Sequence, residues 1–166
     1  EKLKKLLSFA IMAVVSAIVL PLAQLFLRRY VADNSSWTDV GYWEGILRIS
    51  NAYLLLVTMV ISTYALPRYS RIQDNRELKK EVFSVIYKLV PIVTLIAAVI
   101  FLMRHWVILI LFSDKFMPMQ QLFLYQLVGD VLKIASWIVA TTLLAKAKIK
   151  VFIVLEVIFT CTFVVL

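Results

Sequence analysis

Long apolar blocks separated by short polar ones run the length of this chain. Five of them reach the roughly 20 residues that a helix needs to cross a bilayer core, at 6–27, 43–66, 82–103, 121–144 and 151–166. The pattern predicts an all-α, polytopic membrane protein with five transmembrane helices. A sixth apolar run, 106–112, is too short to cross alone. It is expected either to prolong the third helix past Arg104 and His105 or to lie in the interface, where Trp106 would be at home. Lys2, Lys4 and Lys5 precede the first block as they would in a signal peptide, but its apolar core is too long and no small-residue cleavage site follows. The chain starts at Glu1 and stops at Leu166 inside an apolar run, so it is expected to be part of something longer.

Composition agrees with the block pattern. Hydrophobic residues make up 63% of the chain and charged residues 17%, against roughly 45–50% and about 25% in soluble proteins. The mean hydropathy is +0.92. The formal charge of +8 raises nucleic acid as a partner, yet most basic residues occupy the short segments between apolar blocks, where they set topology instead. Lys2, Lys4, Lys5, Arg68, Arg71, Arg76, Lys79, Lys80, Lys146, Lys148 and Lys150 fall on one side of the membrane, while Arg28, Arg29, Arg104 and Lys115 fall on the other. The positive-inside rule makes the first side, including the N-terminal end, cytoplasmic. Cys161, the single cysteine, can form no internal disulfide and reads as a packing residue.

Polar residues inside the apolar blocks bear most directly on function, because ionisable groups at membrane depth usually face protein or a hydrated cavity. In the second block Glu44, Arg48, Asn51, Thr58 and Ser62 share one helical face. In the fourth, Gln126, Asp130, Lys133, Trp137 and Thr141 make another stripe, and the third and fifth blocks add Lys88 and Glu156. Plainer readings stand beside the functional one. Asp130 and Lys133 could neutralise each other; Arg48 could pair with Glu44 or, like Lys88, snorkel toward the headgroups. Glu156 could form an ion pair with another helix.

Pro21 and Pro91 sit inside blocks and could bend their helices, whereas Pro67 is expected to end the second one. Tyr30, Trp37, Tyr42 and Trp43 gather at the outer boundary as an aromatic belt would. There is no Walker sequence, dinucleotide fingerprint or Cys/His set with metal-ligand spacing, so no cofactor or metal is expected. A transporter fits better than an enzyme.

Four segments carry a family resemblance: GYWEGILRIS at 41–50, STYALP at 62–67, QLVGDVLKIASW at 126–137 and EVIF at 156–159. Together they resemble the Wzx family of bacterial polysaccharide flippases, which includes the O-antigen and enterobacterial common antigen (lipid III) translocases. The block from Gly129 to Trp137 is the most specific. The resemblance implies a twelve-helix transporter of the multidrug/oligosaccharidyl-lipid/polysaccharide superfamily, built as two six-helix lobes. Residues 1–166 would be a partial C-terminal lobe, equivalent to helices seven to eleven.

Joined to the polar stripes, this resemblance implies an inner-membrane flippase for an undecaprenyl diphosphate-linked oligosaccharide. Arg48 and Lys133 would attract the diphosphate, and Asn51, Gln126, Trp137 and Thr141 would meet sugar or water. Asp130 would orient Lys133 or titrate, and Glu156 would serve as a coupling carboxylate. The expected partners are the lipid-linked glycan, membrane lipids and the transporter's remaining helices, with polysaccharide polymerase and chain-length proteins as further candidates and no nucleic acid. Two rivals are an ion-coupled drug antiporter of the same superfamily and a non-transporting scaffold for polysaccharide assembly.

Overall fold

The computed structural model describes residues 2–146, 151–155 and 158. Among these there is no strand, and the element order is α1 (Lys2–Asn34), α2 (Trp37–Val60), a π-helical turn (Ile61–Ala65), α3 (Leu66–Arg71), α4 (Asn75–Leu102), α5 (Arg104–Leu111), a 3₁₀ stretch (Asp114–Leu122) and α6 (Phe123–Ala145). Three continuous helical segments among the described residues are long and apolar enough to cross a membrane: Trp37–Arg71, Asn75–Leu102 and Asp114–Ala145. The all-α membrane architecture is therefore present, with six α-helices between Lys2 and Ala145 among the described residues, where five transmembrane helices were expected over the whole chain. The fifth predicted block lies mostly outside the described residues, as do Glu156 and Cys161.

The extra helices have local causes. At Met103 the backbone leaves the helical region (φ −89°, ψ 5°), while its amide still bonds Val99 O at 2.9 Å and its carbonyl accepts from Val107 N at 2.9 Å. Arg104 Nη1 donates to Phe101 O at 2.9 Å and so satisfies a carbonyl in the last turn of α4. The short run that could have prolonged the third helix is thus a separate α5. Pro67, expected to end the second block, does not: it is the second residue of α3, directly after the π-helical turn, whose wider winding accommodates a residue with no N–H for the preceding carbonyls.

The π-helical turn explains how the helix continues. Val57, Ile61, Ala65 and Tyr69 are all buried at successive spacings of four. In a regular α-helix each such step drifts by roughly 40°, so three steps would carry Tyr69 well round the cylinder. The wider turn removes part of that drift, and Tyr69 stays fully buried.

The chain forms two compact units, residues 1–40 with 143–166, and Gly41–Thr142. In the first, Pro21 sits inside an unbroken α1, and Ser36 starts α2 by accepting from Asp39 N at 3.1 Å while its hydroxyl donates to Asp39 Oδ2 at 2.6 Å. In the second, Ile46, Ala97, Ile108, Met119, Phe123 and Leu127 form a buried core to which α2, α4, α5, the 3₁₀ stretch and α6 all contribute. Tyr42 closes its edge, donating to Lys115 O at 3.1 Å and meeting the Phe116 ring edge-on at 5.7 Å. Large apolar residues face outward on the same elements, among them Leu56, Leu102, Ile110 and Leu132. Such a surface suits lipid rather than water.

Candidate functional site

A buried carboxylate lies within the second unit. On α6 the buried positions Phe123, Leu127, Asp130, Ile134, Ile138 and Thr141 make one ridge at spacings of three and four. Asp130 belongs to that ridge and is 1% exposed. Across from it α2 presents Ile46, Ser50, Leu54 and Val57 as its own buried ridge, with Tyr53 half-buried at its flank.

Each Asp130 oxygen receives one hydrogen bond. The Tyr53 hydroxyl donates to Oδ2 at 2.7 Å, and Gln126 Nε2, one turn earlier on α6, donates to Oδ1 at 3.0 Å. Both donors are uncharged, and no ion pair to Asp130 occurs among the described residues. Burial of a carboxylate costs several kcal/mol unless it is hydrogen-bonded, so these two bonds hold Asp130 in place and join α2 to α6.

Lys133 does not neutralise Asp130. Asp130 lies at one edge of the buried ridge, and the further three residues, a net turn of roughly −60° on an α-helix, move Lys133 past that edge to an exposed position. The stripe read from the sequence therefore divides: Asp130 and Thr141 are buried, Gln126 is half-buried, and Lys133 and Trp137 are exposed. Thr141 donates to the Trp137 carbonyl at 2.8 Å, so its hydroxyl is engaged by its own helix. On α2, Arg48 and Asn51 are exposed on the face turned away from Ile46, Ser50 and Leu54. Neither Arg48 nor Lys133 has an ion-pair partner among the described residues. Thr58 donates to Leu55 O at 2.9 Å, and Ser62 is exposed within the π-helical turn.

Sequence reading missed Tyr53. It lies off the polar face of Glu44, Arg48 and Asn51, and a tyrosine in an apolar run looks like packing. Only its hydroxyl, which must find a partner when buried, signalled that a polar group lay opposite.

Comparisons with known proteins add a family to this geometry. A family profile described as "Polysaccharide biosynthesis protein" matches residues 1–121. Two curated relatives, each named Lipid III flippase, come from Escherichia coli (strain K12) and Shigella flexneri. Each is 37% identical over 153 residues, covering 92% of this chain and 37% of the relative. The chain thus spans little more than a third of the length of those relatives. No solved structure matches.

Proposed function

The chain belongs to the polysaccharide biosynthesis protein family, and from that premise we propose that it is part of a flippase that moves an undecaprenyl diphosphate-linked oligosaccharide across the bacterial inner membrane by alternating access. Its role is transport rather than catalysis. The N-terminal end of the segment faces the cytoplasm, because the basic loops do.

One observation carries the reading: two cations without an ion-pair partner among the described residues stand on the surface of membrane-length helices. Arg48 lies eleven residues after Trp37 and Lys133 ten after Phe123, which at 1.5 Å per residue puts each roughly 15 Å into its helix. A charge that deep is expensive against lipid and favourable against an anion or a hydrated cavity. A diphosphate offers oxygens that guanidinium and ammonium groups bind strongly in low dielectric. Asn51, Gln126 and Trp137 lie near these cations along their helices and would meet sugar or water. The remaining helices of the transporter would close the cavity.

Asp130 acts differently in this scheme. Buried and tied to Tyr53, it positions α6 relative to α2 and so fixes where Lys133 projects. Rocking of one lobe against the other would then expose the cations to each leaflet in turn. The test is lipid-linked glycan translocation, or complementation, by the full-length protein carrying Arg48→Ala, Lys133→Ala or Asp130→Asn. Loss of about tenfold or more in flux at normal membrane abundance is expected for each cation variant, the scale of one charge-assisted contact. Unchanged flux in both would overturn the assignment.

A further inference from the structure

The bend between α3 and α4 carries a second polar site that the flippase reading does not use. At the end of the π-helical turn and just beyond it, Tyr64, Pro67, Arg68, Arg71 and Ile72 line an open depression of about 390 Å³. Arg68 is fixed there from two sides. Its Nε donates to Glu81 Oε1 at 2.8 Å, its Nη1 donates to the Tyr64 hydroxyl at 2.7 Å, and its guanidinium carbon stands 5.6 Å from the Tyr64 ring centre. A guanidinium has five N–H donors, so three of them remain for a ligand. Arg71, in the last turn of α3, is exposed beside it.

The walls differ in character. Pro67 and Ile72 are apolar, while Arg68 and Arg71 are cationic, and Glu81 supplies the carboxylate that orients Arg68. The site lies at the end of a membrane-length segment, where the apolar helix gives way to a loop and helix start bearing Arg76, Lys79 and Lys80. A ligand matching it has an anionic head, apolar atoms directly attached and a place at the membrane surface. The depression is open rather than closed over, so a ligand seated there can extend beyond it.

We propose that this depression binds the phosphate headgroup of an anionic membrane lipid. Arg68 and Arg71 take the phosphate oxygens, since the planar guanidinium fork matches them in pairs. Pro67 and Ile72 lie against the glycerol and the first methylenes, and the neighbouring basic residues raise the local concentration of anionic lipid.

The experiment is native mass spectrometry of the purified full-length protein released from vesicles of phosphatidylglycerol or of phosphatidylcholine with the same acyl chains. The wild type is expected to retain phosphatidylglycerol in preference, and Arg71→Gln to lower that retention about tenfold, as loss of a charged hydrogen-bonding group does. Arg68→Gln should act in the same direction, but it also strands Glu81, so Arg71→Gln, which leaves the Glu81 and Tyr64 contacts intact, is the deciding variant. Excess inorganic phosphate should leave retention unchanged. Equal retention of the two lipids, wild-type retention by Arg71→Gln, or displacement by inorganic phosphate would each overturn the proposal. Retained lipid is read without flux, so this result and the translocation result can fail separately.

Discussion

Asp130 shows how an acid is kept inside an apolar helix bundle without a cation beside it. Tyr53 and Gln126 each supply a neutral donor, and hydrogen bonds to a charged acceptor contribute about 1.5–3 kcal/mol apiece. Tyr53→Phe is therefore expected to destabilise the full-length protein by about 2 kcal/mol, seen as a lower unfolding midpoint in lipid nanodiscs. Combined with Asp130→Asn, the two losses should add to less than their sum, because the second change weakens a bond the first has already removed. Strict additivity would show that the Tyr53–Asp130 bond is not formed. The importance of Asp130 was legible in the sequence, since a lone acid in an apolar run stands out. Its partner was not: Tyr53 is 77 positions away, and no periodicity within one helix reveals what faces it across a gap. Lys133 misled for a related reason. A spacing of three places two side chains near each other on a helix, yet the edge of a buried ridge can pass between them.

Among the elements, the apolar blocks foretold the long helices well, because length and hydropathy are properties of one segment. Their ends were less legible. Pro67 looks like a terminator in isolation, and only the π-helical turn before it lets the helical segment run on through Pro67 to Arg71. The 3₁₀ stretch Asp114–Leu122, with Pro118 inside it, likewise reads as a loop. Its packing is what orders it, since Met119 is fully buried in the core of the second unit. That contact constrains α2 as well: a Cβ built on Gly45 would stand 2.8 Å from Met119 Sδ. Gly45→Val should force Met119 aside and destabilise by about 1–3 kcal/mol, the range for overpacking, whereas Gly41→Ala, with open space around it, should be nearly neutral. Equal midpoints for the two variants would refute the close approach. At the start of α4, Asp74 accepts from Arg76 N and Glu77 N. Asp74→Ala should cost about 1 kcal/mol, a roughly fivefold faster hydrogen exchange at those two amides, with the rest of α4 unchanged.

At the scale of the whole molecule, the order of basic and neutral loops makes a prediction that requires no knowledge of the substrate. A cysteine placed at residue 79 should be shielded from an impermeant thiol reagent in intact cells and labelled only after permeabilisation, while one at 115 should react from outside. The reverse pattern would invert the orientation and move Arg68 and Arg71 to the outer leaflet. The core around Phe123 draws on all the membrane-length segments of the second unit, so Phe123→Ala should lower its stability by about 3 kcal/mol. The loss should appear in α2, α4 and α6 together, as slowed exchange protection is lost in all three, and not in α6 alone.

The π-helical turn also works as a counting device. Because its looser winding absorbs one surplus residue, the buried line of the chain before it continues into the chain after it along a single rod. Removing one residue from Ile61–Ala65 would leave a continuous α-helix of nearly the same length, with side chains on both sides of the turn keeping their directions. Asp130 would keep its tyrosine, and Arg68 would still face Glu81. A flexible bifunctional thiol reagent that joins cysteines placed at 68 and 81 in the parent chain should then join them in the shortened one too, and its failure there would show that the turn does not take up the extra residue.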